Sequence, residues 1–344
     1  AYTASREDSF PAEDEDVWSV FPHRIDVFVD TTAQRVWGDS TFTPRYPALY
    51  YDELKRTPFA DEVAFAFVER MIEAEEIGKD DVTDLVFVGA SAADYIGHRY
   101  GPYSQEVEDY YLRLDRMLKQ FLGFLDETVG EQSYVVILTG DHGVALLPEE
   151  AQRRGLDAQR IGRMERQEII LPPLQAALGE LNLIERLQGV RASPYGLTLR
   201  FQEDVSEGMQ VKARRAAAER LRESPYVADA FAYDDVLEHT DDPYRQMYLH
   251  SFHPNRAPDV IIRYKENYVY RMEVGGTTHE TPYRYDTHVP LVFWGQGIAA
   301  GTYDRPVRTV DIAPTIAALA GIAPPDDLDG LVLKEVAATL RRRP

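Results

Sequence analysis

Apolar positions along this chain follow two alternating rhythms, a helical repeat and short unbroken runs. From Asp61 to Glu76, Val63, Phe67, Met71 and Ile72 recur near helical spacing, and Gly78 follows as a stop. Leu85-Val86-Phe87-Val88 is then a run of the kind that forms a buried parallel strand. A second helical stripe runs from Gln105 to Leu125 through Val107, Tyr111, Leu114, Leu118 and Leu122, and Tyr134 to Leu138 is the next strand-like run. Val289 to Trp294 repeats that pattern near the end. Asp311-Ile312-Ala313-Pro314 then opens a helix to Leu319, with Asp311 as N-cap, Pro314 in the first turn and Gly321 as the stop. Helix alternating with apolar strand predicts an α/β fold, its mostly parallel sheet flanked by helices.

Two stretches break the rhythm. Residues 1–58 are rich in Pro, acidic and aromatic residues and read as an irregular excursion, with one alternating run from Ile25 to Asp30. Between 193 and 265 the pattern becomes α+β: strands at Leu197–Phe201, Val227–Tyr233 and Val260–Tyr264, and an Ala- and Arg-rich helix from Val211 to Arg222. The expected division is therefore an α/β core over 59–192 and 266–344, with an α+β insertion over 193–265 acting as a cap.

Composition narrows the chemistry. The 344 residues are 44% hydrophobic and 28% charged, ordinary for a folded chain long enough to bury a sizeable core. A formal net charge of −21, from 58 acidic and 37 basic residues, argues against duplex nucleic-acid binding, which needs a basic face. It leaves anionic substrates open, because a bound divalent cation reverses the local sign. There are no cysteines, hence no disulfides and no thiolate ligands. No apolar run approaches the ~20 residues that span a bilayer.

Three histidine-bearing clusters remain. In Asp94-Tyr95-Ile96-Gly97-His98, a carboxylate and an imidazole four residues apart share one side of a helical turn, and that donor pair suits zinc. The bland alternative is a surface turn capped by Asp94 with a solvated His98. Thr139-Gly140-Asp141-His142-Gly143 ends an apolar strand, where ligands gather in open α/β sheets, and its glycines allow a tight metal-binding turn. The third cluster, Gly275-Gly276-Thr277-Thr278-His279 followed by Tyr285-Asp286-Thr287-His288, supplies two histidines. Either could complete the site begun by Asp94 and His98. His250 and His253 sit among aromatics and read as packing or insertion surface.

Clusters of these types, in this order and each beside a core strand, resemble the alkaline phosphatase superfamily. Within it, the resemblance is to the type I phosphodiesterase and nucleotide pyrophosphatase branch and, inside that, to single-chain bacterial alkaline phosphatases. The block from Asp94 to Pro102, then Glu106 to Tyr110 and Leu114-Asp115, carries it, as do Arg308 to Thr315 and Leu328-Asp329-Gly330. The resemblance implies one zinc held by Asp94, His98 and His279, and a second held by Asp141 and His142. It favours His279 over His288 because the family's ligand follows a Gly-Thr segment; Glu280 stands where a Gly is usual, which keeps His288 as the fallback. The implied activity is hydrolysis of small phosphate monoesters at a two-zinc site through a phosphorylated Thr or Ser, in an exported, periplasmic or secreted enzyme. A phosphodiesterase or nucleotide pyrophosphatase is the alternative within the superfamily, and a non-catalytic structural or binding domain is the alternative outside enzymes.

The nucleophile and the first-strand Asp that the resemblance implies have no clear match. Asp30 followed by Thr43 imitates them, but the interval is short for the usual intervening elements and poor in Gly. The chain opens with Ala1 rather than Met. The expectation is a C-terminal fragment that begins inside the enzyme and has little or no phosphatase activity alone.

Overall fold

The computed structural model describes residues 53–236, 240–253, 256–271 and 275–336; residues 25–30 and Thr43 lie outside them. In chain order its main elements are α1 (Pro58–Ala74), α2 (Ala92–Tyr100), α3 (Gln105–Leu125), β1 (Val135–Thr139), α4 (Pro148–Arg153), β2 (Gln159–Ile161), α5 (Arg163–Glu180), β3 (Leu187–Ser193) and β4 (Gly196–Phe201). They continue with α6 (Glu207–Arg222), β5 (Val227–Ala232), α7 (Pro243–His250), β6 (Val260–Tyr264), β7 (Tyr268–Tyr270), β8 (Leu291–Gly295) and α8 (Ile312–Ala320). The fold is α/β. The described residues form two compact units: one takes those up to Ile96, Tyr103–Gly143 and those from His288 onward, the other Gly97–Pro102 and Val144–Thr287. The division passes through α2, which is one continuous helix.

In the first unit α1 packs on α3. Phe65, Val68 and Ile72 meet Met117, Phe121 and Leu125, and the Phe65 and Phe121 rings contact edge to face at 5.3 Å. α1 is rotated from its expected stripe, with Val63 and Phe67 exposed, whereas α3 keeps Val107 buried and Leu114, Leu118 and Leu122 on this core and exposes Tyr111. Ser104 caps α3, its hydroxyl accepting from the Val107 amide at 3.2 Å. A buried Asp61 ties the elements together. It accepts from the Ala92 amide at 3.2 Å and from the Tyr110 hydroxyl at 2.7 Å, fixing the first residue of α2 against α1 and α3.

The sheet of this unit departs from expectation. β1 pairs antiparallel with β8, Val135 opposite Gly295 and Thr139 opposite Leu291. Leu85 to Val88 has no regular secondary structure and no ladder partner among the described residues, and Leu85 and Phe87 are 56% and 83% exposed. An apolar run becomes a buried strand only where a neighbour pairs its backbone.

In the second unit a four-stranded antiparallel sheet, ordered β3-β4-β6-β5, carries α5 and α6. Leu197, Leu199 and Val260 of the sheet, Ile170, Leu174 and Leu178 of α5 and Ala213, Ala217 and Leu221 of α6 share one core. The sequence gives no sign of α5, because Pro172 and Pro173 stand inside it. Five buried side chains, Ile169, Ile170, Leu174, Ala177 and Leu178, hold it as a helix regardless. A short parallel pair, β2 with β7, is extended by the Arg271 amide donating to the Ile161 carbonyl at 3.1 Å. Arg160 of β2 pairs with Glu149 and donates to the carbonyls of Gly275 and Gly276 at 3.2 and 2.9 Å. That anchors the Gly-rich turn leading to His279.

Candidate metal centre

Helix α2 has Asp94 in its first turn, where a carboxylate suits the helix dipole, and His98 in its last. Four residues apart, the two side chains share one side of the helix, where a carboxylate oxygen and a ring nitrogen come within 4.8 Å. His98 is then oriented by Thr277. Its Nδ1 lies 2.8 Å from the Thr277 carbonyl oxygen, and the Thr277 amide donates back to the His98 carbonyl at 2.8 Å. Thr277 is fully buried, and its hydroxyl donates to the Ala145 carbonyl at 2.9 Å. The Ala145 amide in turn donates to the Thr278 carbonyl at 3.2 Å. With both neighbours pinned, His279 presents its ring to His98, centroids 4.8 Å apart and planes at 42°.

Gly276 permits this approach. Its φ is +69°, and a Cβ there would stand 2.4 Å from the His98 carbonyl oxygen. Glu280, next to His279, holds φ +81°, the left-handed region where glycine is at ease. The Tyr195 hydroxyl donates to the Glu280 carboxylate, and burial together with that carboxylate pushes the Tyr195 phenol well above its ordinary pKa.

The turn after β1 carries the other pair. His142 is half-buried, with Nδ1 2.9 Å from the Gly143 carbonyl oxygen and Nε2 3.5 Å from Asp141 Oδ2. The same Nε2 lies 4.0 Å from Asp94 Oδ1. Asp141 is exposed and accepts from the His142 amide at 3.1 Å. His288 is exposed at the entry to β8 and joins no group of three metal-ligating side chains among the described residues. His250 and His253 are exposed at the end of α7, whose Tyr248 packs on Phe231.

This donor set fits a divalent cation of the zinc type. His98 and His142 each turn Nδ1 to a backbone carbonyl, which fixes the Nδ1–H tautomer and leaves the Nε2 lone pair to bind. Carboxylates and imidazoles are the oxygen and nitrogen donors zinc accepts where thiolates are absent. Thr277 and Arg271 were not singled out by the sequence as site residues. The Gly-Gly-Thr-Thr-His run signals the first, and nothing local signals the second.

The family described as type I phosphodiesterase / nucleotide pyrophosphatase matches residues 12–288. The chain belongs to that family. Among family relatives, alkaline phosphatase PafA of Elizabethkingia meningoseptica is 30% identical over 287 residues, taking in 82% of this chain and 51% of that protein. A protein of Myroides odoratus named calcium-transporting ATPase is also 30% identical, over 90% of this chain and 59% of its own length. Alkaline phosphatase PhoV of Synechococcus elongatus is 27% identical over 94% of this chain and 59% of that protein. The crystal structure of wild-type PafA is similar with a TM-score of 0.73 at 28% identity, covering 86% of this chain and 57% of that one. The chain thus spans about half the length of the curated relatives it matches.

Proposed function

We infer that this chain supplies metal-ligating residues for a phosphate-ester hydrolase: Asp94, His98 and His279 hold one zinc, and Asp141 and His142 contribute to a second. The observation that carries the reading is the His98–His279 pair, brought ring to ring by Thr277, which lies 179 residues from His98. Membership of the type I phosphodiesterase / nucleotide pyrophosphatase family and likeness to two alkaline phosphatases support the reaction class. Bound by these side chains, divalent cations would supply Lewis acidity toward a phosphoryl oxygen and toward an attacking hydroxyl or water. In such a site His98 and His142 offer Nε2 because their Nδ1 atoms are committed to carbonyls, and Asp94 and Asp141 offer carboxylate charge against the cations. Positive charge concentrated there draws a phosphate ester despite the −21 net charge of the chain.

The preferred substrate is a small phosphate monoester, with a phosphodiester as the second reading because the matched family carries that name. This chain by itself is expected to show little turnover. The test pairs an aryl phosphate with its diester, measured with added zinc on this chain and on a longer protein containing it. Zinc-dependent hydrolysis by the longer protein that His98→Ala abolishes supports the reading. A folded longer protein that hydrolyses neither ester, or does so unchanged after His98→Ala, overturns it. Strong turnover by this chain alone, lost in the same variant, would keep the metal centre but refute the expected inactivity.

A further inference from the structure

Beside His98 stands a cation that the proposed chemistry does not use. Arg271 follows β7, is half-buried, and directs Nη1 to the Thr277 carbonyl oxygen at 2.5 Å. The same Nη1 lies 3.3 Å from His98 Nδ1. Guanidinium, carbonyl and imidazole therefore meet around one oxygen atom. An arginine so near a phosphate-ester site invites the role of substrate clamp, but a clamp must present its donors to the substrate. This one spends Nη1 on the backbone, and the Gly276 backbone closes on its Nε: a Cβ at Gly276 would stand 3.1 Å from that atom.

We propose that Arg271 is a positioning residue for His98, fixing the Thr277 carbonyl so that the ring keeps Nδ1 on the backbone and Nε2 toward the metal. The proposal rests on the metal-centre reading and deepens it. The physical need is plain. A histidine can bind through either nitrogen, and the hydrogen bond at one of them decides which. A single carbonyl on a Gly-rich turn is a soft acceptor to entrust with that choice. A guanidinium donating to the same oxygen, and tethered through the Arg271 amide to the Ile161 carbonyl at 3.1 Å, removes the freedom of the turn to rotate it away.

Two measurements on Arg271→Gln and Arg271→Lys test it. Nitrogen-15 chemical shifts of the His98 ring, read without metal, report the tautomer, and zinc titration reports affinity. Arg271→Gln is expected to shift the ring away from the Nδ1–H tautomer and to weaken zinc binding about 10-fold or more, the usual consequence of losing a partner that orients a ligand. Lysine can still donate to the Thr277 carbonyl and is expected to restore part of both. A folded Arg271→Gln protein with parental ring shifts and parental zinc affinity overturns the proposal. If Arg271→Gln unfolds, Arg271→Met, which keeps the apolar stem without a donor, decides: parental ring shifts and parental zinc affinity in that variant overturn the proposal. Should the parent bind no zinc at all, the metal reading fails separately, and the ring shifts alone settle the role of Arg271.

Discussion

Thr277 shows how much one buried side chain can settle. Its amide, carbonyl and hydroxyl each engage a different piece of backbone or ring, so the neighbouring histidines inherit their directions from it. The approach depends on Gly276. Gly276→Ala would force a Cβ to 2.4 Å from the His98 carbonyl oxygen at a φ of +69°. The expected cost is about 1–3 kcal/mol in urea unfolding, with weaker zinc binding. Unchanged stability would show that the turn relaxes freely. His279 and His288 offer a sharper contrast. His279→Ala is expected to weaken zinc binding by at least about 10-fold, since even partners that only orient a ligand cost that much, while exposed His288→Ala leaves it intact. Zinc titration of both checks this, and the reverse outcome would put His288 in the site. The sequence made Asp94 and His98 legible as a pair because helical spacing is local. The preference for His279 over His288 rested on the resemblance, because no local spacing rule separates the two.

Helices α2 and α8 are each fastened by a buried aspartate, and the two respond to pH in opposite senses. Burial pushes the Asp61 carboxyl above its ordinary value, and its bonds to Tyr110 and to the Ala92 and Ser91 amides only partly offset that. Burial also opposes ionisation of Asp311, but there the amides of Arg308 and Leu331, with the nearby guanidinium charge, prevail and the pKa is lowered. A raised folded-state pKa means that the contribution of Asp61 is fully present below its unfolded value and is lost as pH rises through the folded one. The lowered pKa of Asp311 means that its contribution is present above the unfolded value, near about 4, and is lost as pH falls. Asparagine at 311 has one carbonyl for two amides that now bind separate oxygens at 2.9 and 2.8 Å. Asp311→Asn is expected to cost about 1–3 kcal/mol at pH 7, with the gap to the parent closing in acid. For Asp61→Asn the advantage of the parent should shrink instead as pH rises. Urea unfolding from pH 3 to 8 measures both, and gaps that do not change with pH would contradict the account. At this scale the sequence was legible where the apolar period is regular, as in α3 and α8, although Asp311 makes no side-chain cap on α8 and accepts from the Arg308 and Leu331 amides instead. It was silent for α5, where two prolines mask a helix that packing sustains. Leu85 to Val88 misled for the complementary reason: apolarity marks a segment for burial, but pairing decides whether a strand forms.

For the molecule as a whole, alternating patterns predicted α/β architecture correctly but not strand direction, which depends on how distant segments return to one another. β1 and β8 meet antiparallel after more than half the described chain has intervened. Family membership was legible in the clusters around Asp94, Asp141 and His279, because metal chemistry restricts residue type more tightly than packing does. The central claim is that Asp94, His98 and His279 grip a single divalent cation. Crystals of the protein soaked in zinc, with anomalous diffraction recorded at the zinc edge, test it directly. The account expects a peak at about 2.0–2.2 Å from His98 Nε2, a ring nitrogen of His279 and a carboxylate oxygen of Asp94. An ordered, well-folded chain with no peak there, or with zinc held by His288 in place of His279, would contradict it.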